Sequence, residues 1–223
     1  MVNLARHGTA DAQGSLGFNL FALMLVIGMA GVGFAYLLDG ATRAAQIEAH
    51  RLDPTPITRT LGGRELHIPR NWFRYDEIGS EGFVRQVELR FELPLGTRKQ
   101  VETVQVTLLP RSRVRPSAAL LDGVYLHQFL PQQLTGPEGL IGKPLRAAEG
   151  YEDETVWFDA VSANPFVAKC SRAIAAETEA QCVRTVFLAP GLAAIYAFPE
   201  SMLANWRLLD PQLEPRLKTI RAL

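Results

Sequence analysis

Chemistry-bearing residues are scarce in this chain. Of its 223 residues only two are cysteine and four histidine. His7, His50, His67 and His127 lie far apart, and none has a cysteine or a second histidine at a metal-site spacing, so no metal is expected. C-x-x-C-H for covalent haem, the G-x-S-x-G nucleophile elbow, the Walker loop and the glycine fingerprint for a dinucleotide are all missing. The sequence therefore offers no catalytic residue and no cofactor. An excess of charge is missing too: Lys+Arg and Asp+Glu both number 23, which argues against a nucleic-acid partner, because binding phosphates usually leaves a basic surplus. Internal repeats, low-complexity tracts and a second long apolar run are likewise absent.

One long apolar run is present. "GFNLFALMLVIGMAGVGFAYLLDG", Gly17 to Gly40, carries no charge before Asp39. Its uninterrupted part, Leu20 to Leu38, makes a helix of about 28 Å at about 1.5 Å per residue, the thickness of a bilayer's hydrocarbon. A secretory signal has a shorter apolar region followed by a small-x-small cleavage site. Ala41, Ala44 and Ala45 interleave with Thr42 and Arg43 and supply no convincing site. A buried soluble helix would carry a polar stripe, for which only Asn19, at the edge, is available. The expected organisation is an uncleaved anchor: a cytoplasmic tail over 1–17, a transmembrane helix over 18–38, a connector over 39–56 and an exported domain over 57–223. The lipid bilayer is then the first partner.

Orientation is not settled by flanking charge, since Arg6 and the α-amino group on one side nearly balance Arg43, Arg51 and Arg59 on the other. The cysteines break the tie. Cys170 and Cys182, in "KCSRAIAAETEAQCVRTVFL", lie between two strand-like runs. Bonded to each other they would staple the domain by about 3 kcal/mol in an oxidising compartment. The alternative is two separate buried thiols. A bond, with the usual behaviour of an N-terminal signal anchor, points to a cytoplasmic N-terminus and a periplasmic domain at a bacterial inner membrane.

Beyond the run, "ATRAAQIEAHRL" is helix-forming and stops before Pro54 and Pro56. "ITRTLGGRELHIP" alternates on either side of Gly62 and Gly63, a strong hairpin signal. "FVRQVELRFELP" sets Val87, Leu89 and Phe91 against Gln86, Glu88 and Arg90, and "VETVQVTLLP" repeats the device with Val104, Val106 and Leu108. "GVYLHQFL", "ETVWFDA", "CVRTVFLA" and "LAAIYAFP" add shorter β-like runs, so that His127, like His67 in "ITRTLGGRELHIP", is expected on a strand. The period changes in "ESMLANWRLLDPQLEPRLKTIRAL", where Met202, Trp206 and Leu209 share a helical face and Pro211 and Pro215 are expected to divide the segment into short turns. The fold class is mainly β with minor α: one N-terminal transmembrane helix, an antiparallel β-rich domain and a C-terminal amphipathic helix.

Four clusters have candidate roles. "RSRVRPS" (Arg111, Arg113, Arg115) reads as a solvated, proline-bounded turn or as a contact with a lipid headgroup or a partner. Trp72 and Phe73, between arginines in "PRNWFRYDE", suit a headgroup-level belt or a partner contact unless one ring enters the core. The acidic "EGYEDETVWFD" lacks the ligand order of a calcium loop and reads as a solvated loop entering a strand, with Trp157 and Phe158 straddling the sheet. In the apolar run Gly28, Gly31 and Gly33 interrupt bulkier residues, and Gly31 with Ala35 forms the small-xxx-small spacing that lets helices approach.

"HIPRNWFRY", "VELRFELP", "GPEGLIGKPL", "NPFVAKC", "CVRTVFL" and "YAFPESMLANWRLL", in that order after an N-terminal anchor, resemble the transmembrane-anchored proteins of alphaproteobacteria, a family with no assigned reaction. That resemblance covers nearly all of the expected exported region. It implies a bacterial inner-membrane protein and contributes no catalytic residue. The sequence thus leads to a non-enzymatic, single-pass accessory or assembly subunit of a larger inner-membrane complex. A membrane-anchored periplasmic module for ligand binding or sensing is the main rival, and a hydrolase with a site built from dispersed residues is the third possibility.

Overall fold

The computed structural model describes residues 14–73, 82–95, 100–147, 153–172, 179–188 and 191–223. The chain divides into two compact units, Met1–His50 and Arg51–Leu223. In the first, a single helix, α1 (Gly14–Leu52), contains the whole apolar run and continues through the polar residues that follow it. It is the one helix among the described residues long and apolar enough to cross a membrane. Large side chains from Phe18 to Leu38 are exposed, and nothing lies near Gly28, Gly31 or Gly33. The expected cytoplasmic tail falls mostly outside the described residues.

The second unit begins with the hairpin, β1 (Pro56–Leu61) and β2 (Arg64–Pro69), in antiparallel register with Leu61 opposite Arg64. Gly62 and Gly63 hold φ values of 58° and 82°, the left-handed pair that a two-residue hairpin requires and that a side chain would strain. Ile57 and Leu61 on β1 meet Leu66 and Ile68 on β2 over the core. A short strand, β3 (Gly82–Val84), joins β1 in parallel, so this small sheet has the order β2-β1-β3.

A larger, antiparallel sheet of eight strands follows. Its members are β4 (Val87–Leu95), β5 (Gln100–Pro110), β6 (Leu134–Thr135), β7 (Ile141–Pro144), β8 (Glu154–Phe158), β9 (Val167–Ser171), β10 (Gln181–Phe187) and β11 (Leu192–Pro199). Their spatial order is β4-β5-β11-β10-β9-β8-β7-β6. Alternation works as read from the sequence: Val87, Leu89, Phe91, Leu93 and Leu95 on β4 and Val104, Val106 and Leu108 on β5 all enter one core.

Around β8 and β9 the sheet is covered on both faces. Val156 and Val167 enter a second, smaller core, while their neighbours Trp157 and Ala168 face the main one. The second core is roofed by α2 (Ser117–Gly123) and the 3-10 turn Tyr125–His127, which contribute Leu121 and Tyr125. This corrects most of the expected strand at "GVYLHQFL": His127 lies in the turn, and the run reaches the sheet at its end, where Phe129 bridges to Leu145. Leu121 and Tyr125 are four apart, a helical spacing that lays both on the sheet. Pro116, immediately before Ser117, is compatible with a helix start but not with a central strand.

On the main-core face lies α3 (Trp206–Thr219), entered through the 3-10 turn Glu200–Asn205. Leu209, Leu213 and Leu217 form its buried stripe, with Met202 buried in the preceding turn. The expected division at Pro211 and Pro215 does not occur, and one helix contains both. Each proline sits on the exposed side, where water can satisfy the carbonyl released by the missing N–H. Both ends of α3 are tied to the sheet: Asp210 pairs with Arg184 of β10 at 2.8 Å, and Arg216 Nη2 donates to the Glu92 carbonyl of β4 at 3.4 Å.

Leu213→Ala should therefore destabilise the domain by about 2–5 kcal/mol, the range for deleting a fully buried leucine. Pro211→Ala, on the wet side of the same helix, should cost nothing or stabilise. Urea unfolding followed by tryptophan fluorescence measures both, and comparable losses would contradict this placement of α3.

Candidate functional site

The three sequence-marked arginines sit on a 3-10 turn, Arg111–Arg113, and the extended residues after it, between Pro110 and Pro116. The Arg111 backbone N–H donates to the Gly191 carbonyl at 2.9 Å, fixing the turn against the start of β11. The Arg111 guanidinium lies 3.9 Å from the centroid of the Phe187 ring, and Arg113 Nη1 donates to the Arg85 carbonyl at 3.1 Å. All three side chains are exposed. This is a turn with water-facing guanidiniums, of which those of Arg111 and Arg113 are held in place.

The aromatic pair is placed otherwise. Phe73 is only 5% exposed and bridges to Leu89, with the Arg59 guanidinium 5.5 Å from its centroid. Trp72 is half-buried, its ring edge-on to Phe91 at 5.0 Å. The core has absorbed the Phe73 ring and part of the Trp72 ring. Gly28, Gly31 and Ala35 lie on the exposed apolar half of α1.

Of the acidic stretch, Glu149 and Glu152 lie outside the described residues. Asp153 pairs with Arg172 at 3.2 Å and Glu154 with Lys169 at 2.6 Å, across the β8–β9 pair. Asp153, Glu154 and Arg172 border a cleft of about 420 Å³ whose wall includes Leu145, Thr155, Cys170, Ser171 and Glu200. Glu154 Oε2 is buried there without a hydrogen-bond partner. Cys170 and Cys182 are disulfide-bonded directly opposite each other on β9 and β10. Beside this, Trp157 lies flat on the backbone of Gly136 and Gly142, where any Cβ would collide with its ring. Its indole N–H donates to Glu200 at 3.3 Å.

A polar group beneath α3 was not marked by the sequence. Arg184, 7% exposed, lies inward on β10 between Cys182 and Val186, pairs with Asp210, and sets its guanidinium 4.5 Å from the Phe166 centroid. Its inward register among apolar neighbours is the signal that could have found it, since a buried arginine requires a partner. Tyr196 on β11 is nearby in electrostatic terms. Burial pushes its phenol well above the ordinary 10.0, the Asp210 carboxylate adds to the shift, and Arg184 opposes it. Among the described residues no three His, Cys, Asp or Glu side chains converge to hold a metal, and no cysteine is free.

Two predictions follow from this geometry. Replacing both Cys170 and Cys182 with alanine should lower stability by about 3 kcal/mol, read from urea midpoints, and non-reducing peptide mapping should recover the two cysteines joined. At alkaline pH the unfolded chain releases the Tyr196 proton while the folded chain keeps it, so stability falls as pH rises past about 10. Tyr196→Phe should flatten that fall, and an unchanged pH profile would refute the assignment.

No protein-family model, curated protein or solved structure matches the chain.

Proposed function

We propose that this chain is a non-enzymatic, single-pass subunit of a bacterial inner-membrane complex. In this reading α1 spans the membrane and the β domain makes partner contacts in the periplasm. One observation carries it: a helix with an apolar stretch of bilayer length exposes its large side chains from Phe18 to Leu38, while the unit that follows encloses its own core. Such a helix needs lipid or another helix around it. The disulfide favours an oxidising compartment for the domain. The small residues Gly28, Gly31 and Ala35 would let a partner helix approach closely.

A second reading, an anchored module that binds a ligand, is favoured by the cleft beside the disulfide, with its carboxylates and the unpartnered Glu154 oxygen.

Topology is read with fusions after Leu223: alkaline phosphatase should be active and a cytoplasm-dependent fluorescent protein dark. The opposite pattern would overturn the periplasmic placement. Gly31→Leu makes the helix more apolar, so insertion is preserved, but fills the space where a second helix would come. On blue-native gels it should leave a large wild-type band and run alone, still membrane-bound and disulfide-bonded. Wild type running alone in several mild detergents would favour the ligand-binding reading.

A further inference from the structure

One end of the β domain gathers arginines that no carboxylate among the described residues neutralises. Arg111, Arg113 and Arg115 project from the turn after β5, and Arg85, exposed, precedes β4 and lends its carbonyl to Arg113. Arg64 opens β2 at the tip of the β1–β2 hairpin. That tip lies against the same corner, since a Cβ on Gly62 would stand 3.8 Å from the Gly191 carbonyl and 4.0 Å from Pro110. Elsewhere in the domain Arg70, Arg172 and Arg184 each meet a carboxylate. Among the described residues, none of the five at this end does. Among the described residues Glu65 and Glu88 are close to them along the strands, and Glu88 accepts a bond from Gln86 at 3.0 Å.

Two further features make this end a surface rather than a coincidence of charge. Phe187 beneath Arg111 and the Arg85 carbonyl beneath Arg113 hold two guanidiniums in place, which reduces the entropy lost when they engage a ligand. Phe83, 90% exposed, sits on β3 opposite Thr60, and the next residue, Val84, aligns with Leu61 at the same tip. A bare aromatic beside ordered arginines is the composition from which protein interfaces draw their strongest contacts.

We propose that this end is the docking surface for an acidic segment of a partner protein, with carboxylates received by the arginine forks and an apolar residue by Phe83. The proposal rests on the subunit reading and names the chemistry of its partner. A protein is favoured over a lipid surface on two grounds. Bilayer attachment is already supplied by α1, and the surface lies at the opposite end of β1 from Asp53–Thr55, where the chain enters the domain.

The test uses the full chain in neutral detergent and a fluorescein-labelled oligoglutamate peptide carrying one central leucine, with fluorescence anisotropy as the readout. Wild type should bind the peptide, and binding should weaken steeply with salt. Arg111→Glu/Arg113→Glu/Arg115→Glu should lose about tenfold or more in affinity, since charge-assisted bonds become repulsions. The same reversal at Arg90, Arg146 and Lys218 should change it less than about twofold. Phe83→Ala should weaken binding without altering its salt dependence. Arg115→Glu alone, whose side chain makes no hydrogen bond or ion pair among the described residues, serves if the triple variant does not fold. No peptide binding by wild type, or equal losses in the two triple variants, would overturn the proposal. So would capture by phosphatidylglycerol vesicles, and not by the peptide, that the three arginines control. Peptide binding by a wild type that runs alone on native gels would leave the surface standing and remove only the complex it is assigned to.

Discussion

The seam between α3 and the inner face of the large sheet is the contact on which the β domain depends. That face carries Phe91, Leu93, Val104, Tyr196, Phe198 and Cys182, an apolar surface that an open sheet would leave in water. Leu209, Leu213 and Leu217 close it from one side, and the small sheet contributes Ile57, Leu61, Leu66 and Ile68 to the same core. Within this seam Arg184 is a liability made useful. Its burial is tolerable only while Asp210 stays opposite, so the pair fixes where along the sheet the helix begins. Because Asp210 is half open to water and Arg184 is not, removing the carboxylate does more harm than its own loss of contacts implies.

Much of this was legible in the sequence where a single local rule governs. Strict alternation on β4 and β5 needs only one buried face, and the Gly62–Gly63 turn needs only positive φ. The cysteines are legible as a staple because they border two apolar runs that become direct neighbours. The failures share a cause: tertiary context overrode the local signal. Residues 124–130 have strand-like composition, yet Tyr125 packs with Leu121 in the second core and the run meets the sheet at its end, where Phe129 bridges to Leu145. Pro211 and Pro215 are helix breakers only where the freed carbonyl cannot reach water. The strands β6 and β7 were too short to show a period. The candidate surface was half legible: "RSRVRPS" announced its charge, but Arg85, Arg64 and Phe83 join it only through the fold.

The two units follow different physical logics. α1 is apolar around its circumference and leaves those side chains exposed, so its proper solvent is not water. The β domain hides its apolar residues and internalises Arg184 with a counter-ion. Such a pairing suits a protein whose position is set by one part and whose selectivity is set by another. The cleft beside the disulfide and the arginine-bearing end are distinct chemistries on that second part, one acidic and one basic.

The place of α3 in chain order has a consequence for biogenesis. Arg216 reaches back 124 residues to Glu92, and the leucine stripe of α3 completes a core begun at Ile57. Hairpins such as β1–β2 and β4–β5 can form as soon as they emerge. The surface they jointly present has no cover until all eleven described strands have been delivered and the helix arrives. A chain made from its N-terminal side would wait with its most apolar face open until α3 is delivered. Holdase chaperones that recognise unpaired strands would have their longest engagement here, and a stalled or shortened chain lacking α3 would present a substrate for quality-control proteases rather than a partly working domain.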